Sequence, residues 1–282
     1  MKKKYFLLVI LLCICTSSKS QVFCLKSSTT GSSIDYAHIS FLDSNKGTYS
    51  DKNGCFDLKE EVDSVLISHI SFEDTILAMR ELPSIIYLNT KENQLTNIVV
   101  SAKRKGYSKK KKLLLPKNKE SNYLNISSFE IGRILKKTSN DKWTFINKIY
   151  FPLKIGKDTP LLKVNLYTFN TDTNSPDSLI WSDVMKDKNY KKNIAILDDL
   201  SIDISNYNSF FISIELIGYI ENNKNIFIPY SNPKNALRIY MIEGNKNKTY
   251  IRNKNIERKW FPMSESSIHL SNKEPIIQVE IE

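Results

Sequence analysis

Glycine is scarce in this chain, with 8 in 282 residues. No Gly-rich phosphate loop appears, and no Gly-x-Ser-x-Gly elbow that would mount a nucleophilic serine. Histidine is scarcer still, at three: His38, His69 and His269. None stands in a His-x-x-Glu or His-Glu-x-x-His arrangement, so no zinc ligand set is nominated and no metal or cofactor is expected. His38 and His69 sit beside aliphatic residues on expected strands, and His269 ends a Ser-rich loop. Long apolar runs are missing after the N-terminus, and no later segment has the roughly 20 residues a membrane helix needs. Sustained helical periodicity is missing too.

The N-terminus has the layout of an export signal. Lys2, Lys3 and Lys4 form a basic head, and Tyr5 to Cys15 is an apolar stretch of about 11 residues. Ser18 and Ser20 are the small residues that predict cleavage between Ser20 and Gln21, with residues 1–20 as signal peptide. The apolar stretch is too short to favour the competing reading, a membrane anchor. The formal charge of +11 includes Lys2, Lys3, Lys4 and Lys19, so four charges leave with the signal and +7 remains. The excess comes from lysine in a chain also rich in isoleucine and asparagine, the bias of an A/T-rich genome. An exported protein also rarely meets nucleic acid, so no nucleic-acid partner is expected. Cys24 and Cys55 remain after cleavage. In an oxidising compartment they can pair, or they can be two small buried apolar side chains.

Short apolar-polar alternations separated by turn residues run from Val22 to Ala102. Expected strands include 22–26, 34–43, 55–58, 64–69, 75–79, 85–88 and 98–102, with Asp51-Lys52-Asn53-Gly54 as a tight turn. Residues 103–120 hold Lys103-Arg104-Lys105 and Lys109 to Lys112, which reads as a solvated basic linker. Alternation resumes from Ser121. Phe210, Ile212, Ile214 and Leu216 share one pleat face, and Ser213 and Glu215 fall on the other, expected to face solvent. Pro152, Pro160, Pro176 and Pro229 are expected at strand ends or between strands. The fold class is all-β: two sandwiches, residues 21–102 and 121–282, the second of jelly-roll type.

The first sandwich carries a family likeness. Tyr36-Ala37-x-Ile39, then Gly47-Thr48, then Asp51-x-x-Gly54-x-Phe56, then Ser68-x-Ile70-x-Phe72-Glu73 follow one pattern, with Ser71 where a glycine is usual. These residues resemble the carboxypeptidase regulatory-like domain, a transthyretin-like β-sandwich. The closing run Leu95 to Ala102 is similar to the strand that ends such domains ahead of TonB-dependent outer-membrane transporters. The remaining length is too short for a transporter barrel. The resemblance implies an accessory module, in the periplasm or at the outer-membrane surface, without the peptidase of the family's name.

No catalytic set is nominated, so the expected function is binding: a non-catalytic envelope protein that docks onto a protein partner. Trp143, Trp181 and Trp260 are the candidate contact residues, as sugar-stacking platforms or partner anchors, against the alternative that they fill the core. A carbohydrate-binding protein is thus the second reading. A hydrolase built on scattered carboxylates is the third, although adjacent pairs such as Asp198-Asp199 point to opposite faces of a strand.

Overall fold

The structure is a computed structural model that describes residues 21–58, 62–91, 122–126, 129–138, 143–156, 158–185, 190–191, 193–221, 226–229, 237–244, 248–255, 259–265 and 273–281. The expected signal peptide with Ser20, the expected closing strand 98–102, the expected basic linker 103–120 and His269 lie outside the described residues. The protein is all-β, with no α-helix among the described residues. Consequently none of their helices is long and apolar enough to cross a membrane.

The first domain contains β1 (Gln21–Ser27), β2 (His38–Phe41), β3 (Gly47–Tyr49), β4 (Cys55–Leu58), β5 (Ser64–His69), β6 (Phe72–Ala78) and β7 (Ile85–Leu88). One sheet runs β4-β1-β7 and the other β3-β2-β5-β6. Alternation sends Phe23, Leu25, Ile39, Phe41, Val65, Ile67, Ile86 and Leu88 into one shared core. The expected strand 34–43 shortens to β2 because Asp35 and Tyr36 turn the chain, with Tyr36 at φ 52°. Cys24 and Cys55 lie opposite each other on β1 and β4 and are joined by a disulfide, Cα atoms 4.0 Å apart. Gly54 holds φ +80°, and a Cβ there would come within 2.7 Å of the Leu25 carbonyl, so this turn requires glycine.

The second domain contains β8 (Asn122–Ile126), β9 (Glu130–Lys136), β10 (Phe145–Lys154), β11 (Thr159–Asn170), β12 (Ser175–Val184), β13 (Tyr190–Lys191), β14 (Ile194–Leu197) and β15 (Ile202–Asp203). It continues with β16 (Ser209–Glu221), β17 (Ile226–Pro229), β18 (Leu237–Glu243), β19 (Thr249–Arg252), β20 (Phe261–Pro262), β21 (Lys273–Pro275) and β22 (Gln278–Ile281). One sheet has the order β12-β11-β16-β9-β19-β20, with β17 also paired to β16. We call it the central sheet. The other is built around β10, which pairs β14, β15, β18 and β22. Between them Ile131, Ile149, Phe151, Leu162, Val164, Leu166, Phe210, Ile212, Ile214 and Ile239 form the main core.

Two expectations change here. The sequence from Ile194 to Ile204 predicts one strand, but it splits into β14 and β15 because Asp199 takes φ 57°. Pro152 lies inside β10 and not at its end. It is tolerated because β10 changes neighbour there, pairing β22 up to Tyr150 and β18 from Leu153. The missing N–H therefore falls where no ladder bond is due.

Candidate functional site

Strand alternation gives the central sheet a second face, turned away from the main core. It carries Glu130 and Gly132 from β9, Lys163, Asn165, Tyr167 and Phe169 from β11, Phe211, Ser213 and Glu215 from β16, and Tyr250 and Arg252 from β19. Ser213 is 0% exposed and Glu215 is 3% exposed, so this face does not meet solvent as the alternation alone suggested. The first domain covers part of it. His38 and Ser40 of β2 and Tyr49 of β3 reach across: His38 Nε2 lies 3.0 Å from Asn255 Oδ1, Ser40 Oγ donates to the Lys254 carbonyl, and the Tyr49 hydroxyl donates to Glu215 Oε1. Phe211, Phe169, Tyr250, Tyr167 and Ile134 form a small apolar cluster on the same face.

Where the domains meet, two carboxylates converge. Glu130 and Glu215 are directly opposed on β9 and β16, an arrangement that like charges disfavour. Lys254 resolves it, with Nζ 2.6 Å from Glu215 Oε2 and 3.6 Å from Glu130 Oε2. Arg252 Nη2 donates to Glu130 Oε2 and, at 2.8 Å, to the Tyr167 hydroxyl. Glu130 Oε1 accepts from Asn165 Nδ2 at 2.8 Å, Tyr167 OH at 3.0 Å and Ser213 Oγ. Ser182 Oγ in turn donates to Asn165 Oδ1.

The electrostatics follow from this geometry. Burial pushes the Glu130 carboxyl up, but Arg252, Lys254 and the donated hydrogen bonds outweigh it and hold the group well below the usual carboxylate range. Glu215 is lowered in the same contest, with Lys254 as the main counterweight to burial. Burial and then the Glu215 charge raise the Tyr49 hydroxyl well above its usual value. A general acid needs a carboxyl with a raised pKa and access to substrate. Glu130 and Glu215 have neither.

Beside this layer a cleft of about 680 Å³ opens between the domains. Its first-domain wall comes from Tyr36, Phe41, Phe56 and the edge strand β3, and its second-domain wall from Ile220 of β16 and Phe227, Ile228 and Pro229 of β17. Tyr36 stands edge-on to Phe227, ring centroids 6.1 Å apart. It is held in its left-handed conformation by its neighbours: Ala37 N–H donates to Ser50 Oγ, which donates to the Ile34 carbonyl. Asp51, Lys52, Asn53 and Asp57 form the rim. Asp51 Oδ1 accepts from the Asn53 and Cys55 amides, both at 2.8 Å, which closes the turn the sequence announced. Tyr49 links the two features, lining the cleft and anchoring to Glu215.

The nominated tryptophans lie elsewhere. Trp143 packs edge-on against Phe210, and Trp181 is opposite Leu166 on β12, both partly buried on the main core. Trp260 lies over Phe211 and roofs the Arg252 guanidinium, 4.4 Å from its ring centre. No ring contact joins any two of them among the described residues. The cleft residues Tyr36, Asp57 and Phe227 and the ionic residues Glu130, Glu215, Arg252 and Lys254 were not nominated from sequence. A local signal existed for Glu130 and Glu215, since each sits at a polar position of an apolar strand. No group of three or more His, Cys, Asp or Glu side chains among the described residues could hold a metal ion. No protein-family model, curated protein or solved structure matches this chain.

Proposed function

We propose that this is a non-catalytic exported accessory protein of the bacterial envelope that docks onto a protein partner through the cleft between its two β-sandwiches. The observation that carries this reading is the contrast between the two features of the domain boundary. The converging acids are buried, ion-paired and saturated with donors, a structural use. The cleft beside them has aromatic and aliphatic walls, a polar rim and a framework fixed by a disulfide, which suits recognition. The resemblance of Tyr36 to Glu73 to the carboxypeptidase regulatory-like domain supports an accessory role. The N-terminal signal pattern supports export to the periplasm or outer-membrane surface. The test is affinity purification of the tagged protein from envelope fractions, with identification of the co-eluting chains, alongside a glycan array. A stoichiometric protein partner lost on Phe227→Asp is the expected result. Glycan binding with no co-eluting chain would transfer the cleft to sugars and end the protein-docking reading.

A further inference from the structure

We infer that the cleft is a strand-addition groove, in which an extended partner segment with alternating apolar and basic side chains pairs with the outer edge of β3. This rests on the docking reading above and names the form of the partner. The hydrogen-bond pattern sets the direction of the edge. Ser50 N–H donates to the Ala37 carbonyl and Phe41 N–H to the Lys46 carbonyl, so 37/50 and 41/46 are the hydrogen-bonded pairs of the β2–β3 ladder. Alternation adds Ile39/Thr48 to that set and makes His38/Tyr49 and Ser40/Gly47 the non-bonded pairs. The N–H and C=O groups of Gly47 and Tyr49 therefore point away from β2. Among the described residues β2 is the sole ladder partner of β3, and Gly47, Thr48 and Tyr49 all line the cleft.

An unpaired edge on an open surface invites aggregation. Here the edge lines a cleft of about 680 Å³ between the two domains and does not lie on an open surface. Main-chain pairing supplies affinity in this mode, and alternate side chains supply specificity. On one side the segment meets the apolar wall of Tyr36, Phe41, Phe56 and Phe227. On the other it meets the rim, where Asp51 and Asp57 outnumber Lys52. Burial first, and then the carboxylates of Asp35 and Asp51, raise the pKa of the Tyr36 hydroxyl. The complementary segment is basic.

The probe is a capped hexapeptide alternating lysine and valine, titrated into the ¹⁵N-labelled chain from Gln21 to Glu282. The expected result is amide shifts confined to the cleft lining and about tenfold slower hydrogen exchange at Gly47 and Tyr49, as ladder formation protects those groups. Methylating the peptide's alternate backbone nitrogens abolishes binding. The glutamate-valine analogue binds more weakly. The double variant Asp51→Asn, Asp57→Asn, which keeps an acceptor for the Asp51 turn, weakens binding about 3–10-fold, the range of two exposed charge contacts. Shifts centred elsewhere, indifference to backbone methylation, or no binding at millimolar peptide overturns the groove. The envelope purification separates the two claims. A co-eluting partner that is lost on Phe227→Asp, with no peptide-induced protection at Gly47 and Tyr49, keeps the docking reading and removes the groove. A peptide-binding edge with no co-eluting chain does the reverse.

Discussion

Glu130→Gln is the substitution that most directly probes the layer between the domains. The side chain is 0% exposed and accepts from Asn165, Tyr167 and Ser213 through one oxygen and from Arg252 through the other. Glutamine keeps the shape and one acceptor. It removes the charge and turns an amide donor toward either Arg252 or the three neutral donors. Breaking one partner out of a buried ion pair costs about 3–5 kcal/mol, because the surviving charge stays buried without compensation. For a chain of this length that is a fall in Tm of roughly 6–15 °C. Urea unfolding followed by tryptophan fluorescence reads it as a lower midpoint at unchanged slope. Arg252→Met alone should cost a similar amount. The double variant should cost less than the two singles together, by about 1–3 kcal/mol, since each change removes the charge the other strands. A loss below about 1 kcal/mol for Glu130→Gln would refute the reasoning and show that water reaches this layer. Partner or peptide binding at the cleft should survive the substitution at temperatures where the variant is folded.

Other consequences follow from the same geometry. Tyr49→Phe leaves Glu215 Oε1 without its cross-domain donor and should cost about 1–3 kcal/mol in urea unfolding. Stability should fall in acid. Glu130 and Glu215 are lowered in the folded protein, so their contribution is complete above the ordinary glutamate value near 4.3 and is lost as pH drops below it. Glu130→Gln should flatten that acid limb. His69 adds an earlier decline. Burial, then Lys163 and Lys91, pull it down to about 3, and its Nδ1 accepts from the Ser71 amide, so it is neutral when folded and charged when unfolded. The stability it supports is present above pH 6.5 and erodes below, and His69→Gln should level the curve between about pH 6.5 and 5. Reducing the Cys24–Cys55 bond, whose ends are 31 residues apart, should cost about 3–4 kcal/mol by loop-closure entropy, read as a lower urea midpoint in dithiothreitol. Gly132→Ala should cost at least about 2 kcal/mol, because its Cβ would lie 2.3 Å from the Ile212 carbonyl and 2.6 Å from the Phe211 ring.

Much of the scaffold was legible because strands with one buried face announce themselves by alternation. β4, β5 and β7 fall where their sequences place them. The Asp51–Gly54 turn was legible because its chemistry is local: one carboxylate, two amides and one glycine. The ionic layer was not legible as a site, for two reasons. A period of two tells which residues share a face, and it does not tell what covers that face. Ser213 and Glu215 read as solvent-facing because the covering sheet lies more than a hundred residues away in the chain. The cations that neutralise the acids come from β19 and the turn after it, a four-residue strand set among Lys and Asn where no apolar run marks it. The cleft escaped for a related reason, since its aromatic wall joins Tyr36 to Phe227 across the domain boundary.

Scanning calorimetry on the chain from Gln21 to Glu282 bears most directly on the central claim, that both sandwiches and the charged layer between them form one binding scaffold. The account predicts a single transition with equal calorimetric and van't Hoff enthalpies, its midpoint lowered by Tyr49→Phe and by Glu130→Gln. Two separate transitions, with the earlier one unmoved by either substitution, would contradict it.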